Sequence, residues 1–248
     1  MLADVVVLPT APVLVPGVSP APPPEVRAVA DAVDACVEAL APHERVVLLA
    51  PGEGETPAVH ACGRLDLAGL GRGDVTEERP VDADLAHALG ERLGTGVSAP
   101  ARLPLAHAVL ALLLGGRDPL VAVTAPAGAT SAALEGLGAT LASTLAERAD
   151  AGPTLLAVAG DLSAGIGPAA PWKDLDGAAE LDAQLVALLD EGRLASLPEL
   201  RAEAERVRAT AWPALQAAHG ALAAAGLRLV RERYAAPAGV GYLVARAA

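Results

Sequence analysis

The chain contains no phenylalanine, one methionine, one lysine and two cysteines among 248 residues. Its large aromatics are only Trp172, Trp212, Tyr234 and Tyr242. A core without aromatic rings has to be built from Leu, Val and Ala. With 53% of residues hydrophobic there is enough of them, much of it alanine, which favours helices and close packing. The scarcity of rings also removes the stacking platforms used on single-stranded nucleic acid. Positive charge is short as well: 18 Lys and Arg face 30 Asp and Glu, for a net charge of -12. Nucleic-acid affinity comes largely from cations that neutralise phosphates, so no nucleic-acid partner is expected.

Cys36 and Cys62 could close one disulfide at most, and with no secretory signal in view both are expected to stay reduced. The N-terminus runs from Asp4 into a short apolar stretch and lacks a basic leading segment. The longest apolar run, Ala106–Leu114, is too short to span a bilayer. These absences predict a cytoplasmic protein with no membrane partner.

What is present is an alternation of buried strands and amphipathic helices. Val5–Leu8, Val46–Leu49, Pro119–Thr124 and Thr154–Ala159 are apolar runs that read as buried strands. Pro12 to Pro24 is proline-rich and reads as a loop. Val26, Val29, Val33, Val37 and Leu40 recur at helical spacing along one face. Further helices are predicted over Asp82–Leu93 with Gly94 as C-cap, Pro104–Leu114, Ser131–Arg148 with Thr130 as N-cap, Ala178–Leu189, Pro198–Arg208 and Pro213–Ala224. Residues 63 to 80 read as irregular. Leu227–Arg231 and Gly239–Ala245 read as closing strands. The pattern predicts one α/β domain over residues 1–248, a three-layer αβα sandwich around a mostly parallel sheet.

Ligands of such sheets bind beyond the carboxyl ends of the strands. That selects the loops Pro9–Pro12, Ala50–Thr56 and Gly160–Trp172. In the last, Gly160-Asp161-Leu162-Ser163 could offer a carboxylate and a hydroxyl to a ligand, or serve as a turn cap. Glu53 and Glu55 could hold a divalent cation or act as acid and base, or form a solvated turn. His60 and Cys62 are spaced to chelate zinc, but no second Cys/His pair completes a site. His43 and His219 lie near helix ends, His87 on a surface-looking helix, and His107 within a buried helix as a satisfied core residue. No Gly-x-Ser-x-Gly elbow is present.

The strand-end loops resemble those of the class III extradiol ring-cleavage dioxygenases, catalytic B-subunit (LigB-like) type, and their Memo-like relatives. Pro9-Thr10-Ala11-Pro12 is similar to that family's Pro-His-Pro-Pro-like loop, and Ala50-Pro51-Gly52 to its Ser-Pro-His. Gly160-Asp161-Leu162-Ser163-Ala164 is similar to its Gly-Asp-Leu/Met-Ser-His. Pro171-Trp172, Glu180-Leu181-Asp182, Tyr234 and Gly239-Val240-Gly241-Tyr242 continue the series to the C-terminus. The resemblance implies a LigB/Memo-like fold, and a family site of two histidines and a carboxylate holding non-heme Fe(II), with a further histidine near the substrate. Here the three histidine positions hold Thr10, Gly52 and Ala164, and none of these supplies an imidazole.

The expectation is a dioxygenase-like protein that has lost its Fe(II) site and has no cofactor. It keeps a cleft for a small molecule or a protein partner. Asp161, Ser163 and His60 are candidate catalytic groups, and no residue is assigned to a metal. Thr10, Glu53, Glu55, Trp172 and Lys173, with Asp161 and Ser163, are candidate substrate-binding residues. The alternatives are an active metal-dependent dioxygenase or oxidoreductase on an aromatic-type substrate, with Glu53, Glu55, His60 and Asp161 as relocated ligands, and a structural subunit of an assembly. In the last case the alanine-rich helices Ala202–Arg208 and Ala214–Ala224 would be exposed, and homo-oligomer formation is left open.

Overall fold

The computed structural model describes residues 1–248. Its strands are β1 (Leu2–Leu8), β2 (Arg45–Gly52), β3 (Ala58–His60), β4 (Arg64–Leu67), β5 (Arg72–Glu78), β6 (Val97–Ser98), β7 (Leu120–Pro126), β8 (Thr154–Ala159), β9 (Leu229–Ala235) and β10 (Tyr242–Ala247). Its helices are α1 (Pro24–Glu38), α2 (Ala83–Leu93), α3 (Leu105–Leu113), α4 (Ser131–Glu147), α5 (Ala178–Asp190), α6 (Arg201–Arg206) and α7 (Trp212–Ala225). Eight strands form one sheet in the order β6-β3-β7-β2-β8-β1-β10-β9, while β4 and β5 form a separate two-stranded ribbon.

The four central strands, β7, β2, β8 and β1, run parallel. They are covered on both faces, which is why they read as unbroken Val, Leu and Ala runs and not as alternating ones. α1 and α3 pack on one face; α4 and α7, with α2 and α5, lie on the other. The result is a three-layer αβα sandwich. Its core cluster holds 68 buried residues, without a phenylalanine among them.

Local signals mark several helix ends. Asp82 accepts from the Leu85 N–H at 2.9 Å to cap α2, and Gly94 closes that helix in the left-handed conformation at φ 63°. Thr130 accepts from the Ala133 N–H at 3.2 Å to cap α4.

Three readings of the sequence are corrected. Residues 63–80 are not irregular, because β4 and β5 pair there as an antiparallel ribbon. Pro198 does not start an α-helix; it lies inside a 3-10 segment, Leu194–Leu200, that leads into α6. The stretch Ala214–Ala224 is not an exposed face. α7 is buried from Trp212 to Ala218 and packs along α4. The contact is close because both helices carry glycine where they cross. A Cβ on Gly138 would fall 1.8 Å from the Ala217 carbonyl oxygen, and one on Gly220 would fall 2.1 Å from that of Glu135.

Both cysteines are free thiols, as expected: Cys36 is buried in α1 and Cys62 follows β3. Burial pushes the Cys36 thiol up to about 11. No helix is long and apolar enough to cross a membrane.

Candidate functional site

Strand direction and crossover topology concentrate chemistry at one place. β1 sends its chain to α1 on one face. β8, beside it in the sheet, sends its chain to α5 and α7 on the other. Adjacent loops that part to opposite faces leave a crevice at the carboxyl ends of the strands. Here that switch of faces lies between the ends of β1 and β8, where Thr10 and Asp161 meet.

The register shows which side chains share the crevice. Leu8 pairs with Ala159, and Leu49 with Val158. Continued one pleat beyond the strands, this aligns Thr10, Asp161 and Gly52 on one face, since alternate residues share a face. Across β2, Ala50 pairs with Thr124, so Thr124 belongs to the same face, and β3 places His60 opposite Ala122 beyond it. A diagonal row on one face therefore crosses the sheet: Thr10, Asp161, Gly52, then Thr124 one pleat back and His60 a further pleat back.

At one end of the row, the Thr10 N–H donates to Asp161 Oδ2 at 2.9 Å and the Thr10 hydroxyl donates to the same oxygen. Oδ1 receives no donor from another residue. Burial pushes the Asp161 carboxyl up, opposed by the two Thr10 bonds. Tyr242 bridges to Asp161 from β10. Its phenol is pushed up to about 12 by burial and by the Asp161 charge, so it remains a hydroxyl donor at neutral pH.

In the middle of the row Gly52 has no side chain, and the Thr124 methyl fills the space beside it. A Cβ there would lie 2.3 Å from Thr124 Cγ2. At the far end, His60 Nε2 is 2.9 Å from Thr124 Oγ1 and Nδ1 is 2.7 Å from Ser98 Oγ. Burial lowers the His60 pKa. The His60 ring meets His107 edge to face, with centroids 5.7 Å apart at 72°.

Ser163 lies below the rim. It is fully buried; its N–H donates to Asp182 Oδ1 at 3.0 Å and its hydroxyl donates to the Ala178 carbonyl at 3.2 Å. Asp182 Oδ2 accepts the Tyr234 hydroxyl at 2.8 Å. A Cβ on Gly241 would lie 1.9 Å from that oxygen, so the glycine makes room for the carboxylate. Ser163 and Asp182 thus hold the β8 loop in place and do not face the crevice. Asp182 was legible only as part of an acid-containing helix.

Glu53 and Glu55 are exposed on the β2 loop. Trp172 is 52% exposed, with the Arg208 guanidinium stacked 4.0 Å from its ring centre. Lys173 beside it is exposed and adopts φ 61°. The loop after β7 also reaches the rim: Ala127 N–H bonds the Gly52 carbonyl and Gly128 N–H the Gly54 carbonyl, each at 2.8 Å. Arg201 secures this loop by donating to the Ala129 carbonyl at 2.6 Å.

The donor set does not fit ferrous iron at the positions suggested by the resemblance. Thr10 is committed to Asp161, Gly52 offers no side chain and Ala164 offers a methyl. The alternative donors do not converge either. His60 and Asp161 stand on strands three places apart, about 14 Å at the usual strand spacing. No group of three or more His, Cys, Asp or Glu side chains is arranged to hold a metal ion.

A comparison with protein-family models found no match, and a search of curated proteins found none at a significant level. Among solved structures, the chain is similar to an uncharacterized protein, JW3007, from Escherichia coli K12, with a TM-score of 0.68 over 98% of each chain and 16% sequence identity. At that identity the similarity concerns the fold, and it places the whole of this chain on an architecture already seen in a crystal.

Proposed function

We propose that this protein is an extradiol-dioxygenase-like scaffold that works without iron and binds a small molecule in the crevice beside Asp161. The observation that carries the reading is the double hydrogen bond from Thr10 to Asp161 Oδ2, which occupies the place where the resembling family would put an imidazole ligand. Asp161 Oδ1 is left for a donor on the ligand. Tyr242, paired with Asp161 across the backbone, supplies a neighbouring hydroxyl donor, and Gly52 adds no side chain to the floor. This pairing of one acceptor with one donor suits a planar hydroxyl-bearing molecule such as a catechol, whose two adjacent hydroxyls can donate and accept. Water is partly excluded, so these bonds are worth more there than on an open surface.

Calorimetric titration of catechol and of protocatechuate into the metal-free protein tests this. Binding is expected for the wild type and a loss of at least tenfold for Asp161→Ala, which removes the acceptor. Equal affinity in the two proteins, or no binding to the wild type, contradicts the reading.

A further inference from the structure

The far end of the row carries a second arrangement, independent of the Asp161 crevice. Ser98 Oγ donates its one proton to the Val59 carbonyl at 3.2 Å. It must then accept from His60 Nδ1, which stands 2.7 Å away. A neutral imidazole carries one N–H, so Nε2 holds the lone pair, and Thr124 Oγ1 at 2.9 Å must donate to it. The proton order is hydroxyl to imidazole to hydroxyl to carbonyl. A base within hydrogen-bond reach of a hydroxyl, itself oriented by a third group, is the arrangement that activates a hydroxyl nucleophile.

Packing fixes the direction of the Thr124 hydroxyl. Its methyl fills the slot left by Gly52, where any side chain would collide, and this turns Oγ1 toward His60. Thr124 is 8% exposed, while Gly52 and His60 beside it are partly open to solvent. His107 packs edge to face on the His60 ring. It is fully buried, and its Nε2 donates to the Val123 carbonyl at 3.0 Å, leaving Nδ1 without a partner.

We propose that Thr124 is an acyl-accepting nucleophile and His60 its general base, acting on a small carboxylic ester. Thr124 Oγ1 forms a bond to the ester carbonyl carbon as its proton passes to His60 Nε2. Collapse of the tetrahedral adduct breaks the bond to the leaving alkoxide, which takes that proton and departs as an alcohol. Water then attacks the acyl-threonine, giving its proton to Nε2. Nε2 returns a proton to Oγ1, and the acid is released.

Incubation of the full-length protein with p-nitrophenyl acetate, followed by peptide mass spectrometry, tests the assignment. Expected are a burst of nitrophenolate and an acetyl adduct on Thr124. Thr124→Ser should retain the burst, Thr124→Val should give neither burst nor adduct at position 124, and His60→Gln should lose about 10²-fold or more of the acylation rate, the usual scale for removing such a base. On acidification the rate should fall at a lower pH than an ordinary imidazole base would give, because burial lowers the His60 pKa. The absence of any adduct in the wild type overturns the proposal, as does an adduct at another residue only. If Thr124→Val fails to fold, a folded His60→Gln that acylates at the wild-type rate overturns it equally.

Discussion

Asp182→Ala is expected to destabilise the protein by about 2–6 kcal/mol, because two buried donors lose their acceptor together, at about 1–3 kcal/mol each. The donors are the Ser163 N–H and the Tyr234 hydroxyl, at 3.0 and 2.8 Å. Asp182 is completely buried, so water cannot take its place without a rearrangement. Gly241, whose missing side chain makes room for the carboxylate, leaves a void when the carboxylate goes. For a chain of this size each kcal/mol moves the melting temperature by about 2–4 °C, so a loss on the order of 10 °C is expected. Tyr234→Phe removes one bond and should cost less than half as much. The phenol, pushed up by burial and by the Asp182 charge, stays a donor throughout the accessible pH range. Thermal unfolding followed by circular dichroism reads both. Equal melting temperatures for wild type and Asp182→Ala would show that the β8 loop is held by other contacts.

His107 should make the fold sensitive to acid. Its pKa is pushed down to about 4, chiefly by burial, against an ordinary value of 6.5. Above pH 6.5 the ring is neutral in both folded and unfolded chains, and it contributes no pH dependence. Between 6.5 and 4 the unfolded chain takes up a proton that the folded chain refuses, so stability falls as pH falls. Below about 4 both states bind the proton and the loss levels off. A shift of this size corresponds to roughly 3 kcal/mol across the window. His107→Gln keeps a donor for the Val123 carbonyl but does not titrate. Urea unfolding at pH 7 and pH 4.5 should therefore show a smaller acid loss for His107→Gln than for the wild type. The carboxyls of Asp161 and Asp182 are pushed up by burial and change stability with the opposite sign, but both proteins share them. An identical acid loss in the two proteins would contradict the assignment.

Much of the frame was legible because it obeys local rules. The central strands β1, β2, β7 and β8 are apolar runs bounded by Pro, Gly or charge, and Asp82, Gly94 and Thr130 mark helix ends by chemistry that acts within one turn. Once strands alternate with helices, the convergence of the Thr10, Gly52 and Asp161 loops follows from parallel topology. The rest depended on partners far along the chain. β3 and β6 have three and two residues, too few for a periodic pattern, and the exposed β5 alternates weakly. Without β3, nothing in the string brings His60 to Thr124, 64 residues away. Alanine spacing could not show that α7 is buried, because a face of alanines looks the same whether or not a neighbouring helix supplies a glycine to pack against. Ser163 read as a rim hydroxyl because strand parity says nothing about a chain that has already left the strand.

Thr10, Gly52 and Ala164 stand where the resembling family would carry iron-binding histidines, and the proposal of an iron-free site rests on them. The most direct test is metal analysis of protein purified after growth with iron supplementation, paired with an anaerobic Fe(II) titration and an oxygen-uptake assay on protocatechuate. Substoichiometric iron, no saturable Fe(II) binding and no oxygen consumption are predicted. One tightly held iron per chain, with ring cleavage of the catechol, would contradict the account outright.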